Sequence, residues 1–137
     1  MTENRRVLLV EDDKVDALTV KRAFRELGME GQLTTVTDGE AALEYLEDPA
    51  NERPQMILLD LNMPRMNGIE FLFARRKRPN LRTIPVIVLT TSSEEEDRVN
   101  TYNLCVAGYI IKPVDYRHFV DAIKTIESYW SLSLSST

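Results

Sequence analysis

Five short apolar runs, Val7 to Val10, Leu33 to Thr37, Met56 to Leu59, Ile84 to Leu89 and Tyr109 to Ile111, alternate with segments whose apolar residues recur at helical spacing. Runs of this kind suit strands buried on both faces of a sheet. Alternation with helices supplies the cover, because each crossover between parallel strands lays a helix on one face with right-handed sense. The first helix is expected over Lys14 to Leu27, with Ala17, Val20, Phe24 and Leu27 on its buried stripe and Gly28 as its stop. Thr37 with Glu40 has the form of a capping box for the second, whose stripe is Gly39, Ala42, Leu43 and Leu46. The third carries Ile69, Leu72 and Phe73 and runs out in Arg75 to Arg78 before Pro79. Ser92 and Ser93, each with a Glu three residues on, open a fourth helix expected to continue through Val99, Tyr102 and Val106 and to end at Gly108. The fifth follows Asp115 as N-cap and carries Phe119, Ala122, Ile123, Ile126 and Trp130, leaving Ser131 to Thr137 as a frayed tail.

A chain of 137 residues suits a single domain, here 1–137 with a core from about residue 5 to residue 130. At that size it buries about 70% of the surface its unfolded form exposes. The expected fold is α/β, a flavodoxin-like (βα)5 doubly wound parallel sheet of strand order 2-1-3-4-5. Cys105 stands alone, so no internal disulfide is needed, which fits a reducing compartment. Val7 to Val10 is too short for a signal peptide and no stretch is long enough to span a membrane, so a cytoplasmic protein without a membrane partner is expected. A net charge of −5 argues against nucleic-acid binding by the surface as a whole. Arg75 to Arg82 is the sharper nucleic-acid candidate, but no aromatic interleaving or recognition motif accompanies it, and cations there complement a helix C-terminus.

Glu11, Asp12 and Asp13 follow the first run directly, and Asp60 ends the third, where Pro64 and Asn67-Gly68 turn the chain into a loop. A lone Asp at a strand end is ordinarily a cap or a solvated turn residue. In the order 2-1-3-4-5, however, the first and third strands are neighbours at the topological switch point, so Glu11, Asp12 and Asp60 share one cavity at the carboxyl edge. Like charges about 4 Å apart cost about 4 kcal/mol per pair at an effective dielectric near 20. Such a cluster must raise a pKa or hold a cation. Oxygen ligands without His or Cys point to a hard divalent ion, and few protein ligands with room for water and phosphate favour Mg2+ over Ca2+. Thr90 and Lys112 end the fourth and fifth strands at the same edge and make an anion site. A carboxylate nucleophile, a metal, a hydroxyl donor and an ammonium are the parts needed to accept a phosphoryl group on Asp60.

With these residues in place, the sequence resembles the receiver domains of two-component response regulators from about Arg5 to Tyr129. The motifs, in order, are Leu-Val-Glu-Asp-Asp at 9–13, Leu-Leu-Asp-Leu-Asn-Met-Pro at 58–64 with Gly68, Val-Leu-Thr-Thr at 88–91 and Gly-Tyr-Ile-Ile-Lys-Pro at 108–113. The resemblance implies Asp60 as phosphoacceptor, Mg2+ held by Glu11, Asp12, Asp60 and the Asn62 carbonyl, and Lys112 on the phosphate. It also implies Thr90 and Tyr109 as a switch pair, Asn62 and Thr91 as tuning positions, and a cis Lys112-Pro113 bond. No enzyme activity is implied beyond self-catalysed phosphotransfer and dephosphorylation. Leu-Asn-Met-Pro-Arg-Met-Asn-Gly, Leu-Thr-Thr-Ser, Gly-Tyr-Ile-Ile-Lys-Pro-Val-Asp and the late Tyr129-Trp130 are similar to single-domain regulators associated with phytochrome-type histidine kinases. The partner implied is a histidine kinase or phosphotransfer protein. With the whole chain taken up by the receiver, output is expected by contact, through a face carrying Tyr109 and Trp130 that binds the kinase or a second copy in a homodimer.

Three rival readings fit less well. A haloacid-dehalogenase-type phosphohydrolase also uses an aspartyl-phosphate, but needs a second Asp two residues on, where this chain has Asn62, and a cap for which there is no room. Flavin binding wants a hydroxyl- and glycine-rich phosphate loop after the first strand, and Glu11-Asp12-Asp13 would repel that phosphate. A pseudo-receiver used purely for docking would not require the complete acidic, Thr and Lys set.

Overall fold

The computed structural model describes residues 6–63, 65–90, 93–112 and 115–135. Strands β1 (Val7–Val10), β2 (Leu33–Val36), β3 (Met56–Asp60), β4 (Val86–Thr90) and β5 (Gly108–Ile111) form one parallel sheet in the order β2-β1-β3-β4-β5, as the alternation predicts. Helices α1 (Lys14–Glu26), α2 (Gly39–Glu47), α3 (Gly68–Arg76), α4 (Ser93–Thr101) and α5 (Tyr116–Ser135) follow their strands in turn.

The two-residue period of a strand splits the apolar runs between two cores. Leu8, Val10, Ile57, Leu59, Val86 and Val88 face one side, where Ala42 of α2, Phe71 and Leu72 of α3 and Val99 of α4 pack on them. Val7, Leu9, Leu58 and Leu89 face the other, against Ala17, Val20 and Phe24 of α1 and Phe119, Val120 and Ile123 of α5. Each fully buried side chain of this size contributes about 1.5–3 kcal/mol through burial. Register then sets the site. Val10 pairs with Leu59 and Asp60 with Leu89, which brings the residues following β1 alongside the end of β3.

Four local expectations change. The cap of α2 is Asp38 rather than Thr37: its carboxylate accepts the Ala41 N–H at 2.9 Å and is ion-paired with Arg65 at 3.1 Å. Helix α4 stops at Thr101, not at Gly108, because Asn103 and Cys105 take left-handed φ values of 53° and 55°. Val106 still packs on the core from the connecting loop, which is why its spacing mimicked a helical stripe. Gly108 opens β5 instead of ending a helix. Helix α5 runs on to Ser135, past the expected end at Trp130, since neither Gly nor Pro interrupts Ser131 to Ser135. Asp115, the expected cap of α5, accepts the His118 N–H at 2.9 Å, and Asn67 with Glu70 forms a capping box for α3 where the sequence showed only a turn. Pro64, Ser92, the Lys112-Pro113 bond, Thr91 and the side chain of Trp130 lie outside the described residues.

The basic run is largely occupied within the fold. Arg75 is buried and donates to the carbonyls of Arg82 at 3.0 Å and Ile84 at 2.7 Å. Arg76 lies over the Phe73 ring and donates to the Tyr102 carbonyl, while Arg78 pairs with Glu47 at 2.7 Å.

Candidate functional site

Four of the five strands, β1, β3, β4 and β5, deliver functional groups at the carboxyl edge, and the following loop or helix turn fixes them. Glu11 follows β1 and is 2% exposed; Asp60 ends β3 and is 3% exposed. Asp12 is exposed between β1 and α1. Carboxylate oxygens of Glu11, Asp12 and Asp60 all lie within 4.8 Å of one another, the cluster expected from the strand order. Asp13 stands apart from it as the N-cap of α1, accepting from Val15 and Asp16, and its own N–H donates to Glu11 Oε2 at 3.2 Å. Helix α1 therefore begins at the site's edge and turns its first residues toward it.

Lys112, 9% exposed at the end of β5, sends its ammonium into the acidic cluster. Nζ lies 2.7 Å from Glu11 Oε1, 2.9 Å from Asp16 Oδ2 and 3.3 Å from Asp60 Oδ1. Burial pushes the Glu11 carboxyl up to about 7; Lys112 acts against that rise and Asp60 adds to it. At Lys112 burial opposes the charge, but the bonds to Glu11 and Asp16 and the field of Asp60 outweigh it and hold its pKa above the ordinary lysine value. The repulsion among the carboxylates is thus answered first by an internal cation.

Gly68 allows the loop after β3 to fold back over the site. A Cβ there would lie 2.6 Å from the Asp60 carbonyl oxygen and 2.7 Å from Leu61 Cα, and the Gly68 N–H donates to the Leu61 carbonyl at 3.1 Å. The Asn62 N–H reaches Asp60 Oδ1 at 3.3 Å. Thr90 is fully buried and its hydroxyl donates to Glu95 Oε1 at 2.7 Å; the Asn62 side-chain amide donates to the other oxygen of Glu95. Tyr109 is half-buried on β5, its hydroxyl donating to Asn100 of α4 at 3.0 Å. Burial, and then the charge of Glu96, raise its pKa.

Five sequence-predicted residues, Glu11, Asp12, Asp60, Asn62 and Lys112, are brought together directly. Thr90 joins them through Glu95, and the Tyr109 hydroxyl reaches Asn100 of α4. Two participants were missed. Asp16, three residues after the α1 cap Asp13, was not singled out in the sequence, where a first-turn acid carries no signal that it faces the site. Glu95 read as half of a capping box, although its carboxylate bridges β4 and the β3–α3 loop. The donor set is all oxygen, partly buried and anionic, which fits a hard divalent cation.

Comparison with known proteins bears on the same residues. Residues 7–124 match the family described as the response regulator receiver domain. The chain is 39% identical over 127 residues to the probable methanogenesis regulatory protein FilR2 of Methanothrix harundinacea, covering 90% of this chain and 82% of that protein. It is 37% identical over 128 residues to response regulator Rcp1 of Synechocystis sp., covering 90% and 87%. Among solved structures, the bacteriophytochrome response regulator RtBRR superposes with a TM-score of 0.78 at 40% identity, covering 89% of this chain and 77% of that one. The Mn2+-bound form of Rcp1 gives 0.73 at 37%, covering 92% and 94%. The phosphorylated cyanobacterial phytochrome response regulator RcpA gives 0.78 at 37%, covering 98% and 97%. The chain belongs to the response regulator receiver family, the phosphoacceptor domains of two-component signalling, with phytochrome response regulators among its relatives.

Proposed function

We propose that Asp60 accepts a phosphoryl group from the phosphohistidine of a histidine kinase or phosphotransfer protein. The observation that carries this reading is the buried Asp60 carboxylate meeting two further acids and the Lys112 ammonium at one strand edge. An Asp60 oxygen attacks phosphorus, the P–N bond breaks, and the imidazole leaves and takes up a proton from solvent. Lys112 then has a phosphoryl oxygen to pair with in place of the Asp60 oxygen it now holds. Receiver domains bind a divalent metal, and the relative Rcp1 was solved with Mn2+; for this chain the ion is Mg2+, held by Glu11, Asp12, Asp60 and the Asn62 carbonyl. When bound, it supplies positive charge against both the acidic cluster and the phosphoryl oxygens. Thr90 and Tyr109 form the switch, Asn62 and Thr91 tune the lifetime of the phosphoryl group, and Lys112-Pro113 is cis. The protein has no enzymatic role beyond its own phosphotransfer and dephosphorylation.

Output is by contact between this receiver and its partner, in the cytoplasm. Ile111, two residues after Tyr109 on β5, is an exposed apolar group, and it supports the α4, β5 and α5 face, with Tyr109 and Trp130, as the surface for the kinase or a second copy. Neither nucleic acid nor membrane is expected as a partner; three arginines of the basic run make intramolecular contacts, which supports the first part of that reading. No helix among the described residues is long and apolar enough to cross a membrane.

The test is phosphorylation by a small phosphodonor followed by intact-mass measurement. Wild type should gain one phosphoryl group only with Mg2+, and Asp60→Asn should gain none. Equal incorporation in the mutant would refute Asp60 as acceptor.

A further inference from the structure

Glu95 lies in the first turn of α4, and its two carboxylate oxygens answer different parts of the site. Oε1 accepts the hydroxyl of Thr90, the last residue of β4, at 2.7 Å; Oε2 accepts the side-chain amide of Asn62, two residues beyond Asp60. Through the Asn62 N–H on Asp60 Oδ1, the same loop also touches the acceptor carboxylate. One carboxylate therefore ties α4 to both the end of β4 and the loop after β3. A hydroxyl carries one proton, so Thr90 cannot donate at once to Glu95 and to a phosphoryl oxygen on Asp60. The charge of Glu95 acts in the same sense, since it repels an incoming dianion.

We propose that Glu95 is a positioning residue that holds Thr90 and Asn62 in their resting arrangement, and that phosphorylation of Asp60 proceeds against this tie. When a phosphoryl oxygen takes the Thr90 proton, the hold of Glu95 on β4 ends and the first turn of α4 is released. The phosphorylation signal thereby reaches α4 through a hydrogen bond exchanged at Thr90, upstream of the Tyr109 to Asn100 contact on the same helix. This rests on Asp60 as phosphoacceptor, so the test must separate the two claims.

The test is titration of the full chain with beryllofluoride, a phosphoryl mimic, in saturating Mg2+, read by fluorine NMR of the bound species. Glu95→Ala should bind the mimic about tenfold more tightly than wild type, the scale expected from removing a charge-assisted hydrogen bond that competes with binding. Glu95→Gln should tighten it less, because the amide oxygen still accepts from Thr90 while the charge is gone. In a Thr90→Val background the effect of Glu95→Ala should shrink to about twofold, the part due to charge alone. Mg2+ affinity without the mimic should stay within about twofold of wild type, since Glu95 is outside the cluster of Glu11, Asp12 and Asp60. Unchanged or weaker mimic binding by Glu95→Ala, or tightening undiminished by Thr90→Val, would overturn the proposal. If Glu95→Ala does not fold, the near-isosteric Glu95→Gln decides with the same sign. Asp60→Asn binding the mimic as well as wild type would overturn the phosphoacceptor reading itself, a result distinct from either outcome at Glu95.

Discussion

Lys112 meets Glu11, Asp16 and Asp60 within 3.3 Å, so one ammonium balances a group of carboxylates that would otherwise be packed together. Removing one member of a buried pair costs about 3–5 kcal/mol because the other charge is left uncompensated, and part of that is relieved here by the exposed edge at Asp12. Lys112→Ala should therefore lose about 2–4 kcal/mol of stability in chelator, and Mg2+ should recover much of it. Urea unfolding with and without Mg2+ checks this; an unchanged midpoint in chelator would show that Lys112 does not bear on the resting cluster. Asp60 and Lys112 were both legible from strand ends. Asp16 was not, because nothing local distinguishes a first-turn acid that faces a site from one that faces solvent.

At the scale of elements, the α4–β5 connection departs most from the sequence pattern. Asn103 tolerates its left-handed backbone, but Cys105 at φ 55° carries a Cβ that costs about 1–2 kcal/mol in that region. Glycine removes the strain but adds freedom to the unfolded chain, so Cys105→Gly should stabilise by about 0.5–1 kcal/mol while Cys105→Ala gives no comparable gain. Equilibrium unfolding of the two variants side by side decides it, and equal midpoints would mean that the loop relaxes without glycine. The α3 end shows a second element effect. Arg75 belongs to a run that reads as a basic patch, yet its guanidinium closes the chain between α3 and β4 through the Arg82 and Ile84 carbonyls. Arg75→Met should cost about 2–3 kcal/mol by leaving those carbonyls without their charged donor. A loss under 0.5 kcal/mol in the same assay would show that water replaces it.

For the whole molecule, a cation bound only by the folded state stabilises by mass action, about 2.7 kcal/mol at a concentration one hundred times its Kd. Mg2+ should thus raise the melting temperature by about 10 °C in a domain of this size. Asp12→Asn should melt slightly higher than wild type in chelator and lose most of the Mg2+ response. If neither difference appears in calorimetry, Glu11, Asp12 and Asp60 do not act as one metal site. The number of strands, their order, the two-faced core and the gathering of Glu11, Asp12, Asp60, Thr90 and Lys112 at one edge were all determined by the sequence alone. Periods of 2 and 3.6 residues, and the residues that end each run, are local properties that parallel topology converts into position. Tertiary structure alone decided that Lys112 pairs with Asp16, that Glu95 holds Thr90 and Asn62, that α4 stops at Thr101 and that Arg75 is an internal brace. Those outcomes depend on distances between side chains from different elements, and no spacing along a single chain encodes which of several equivalent charges will find which partner.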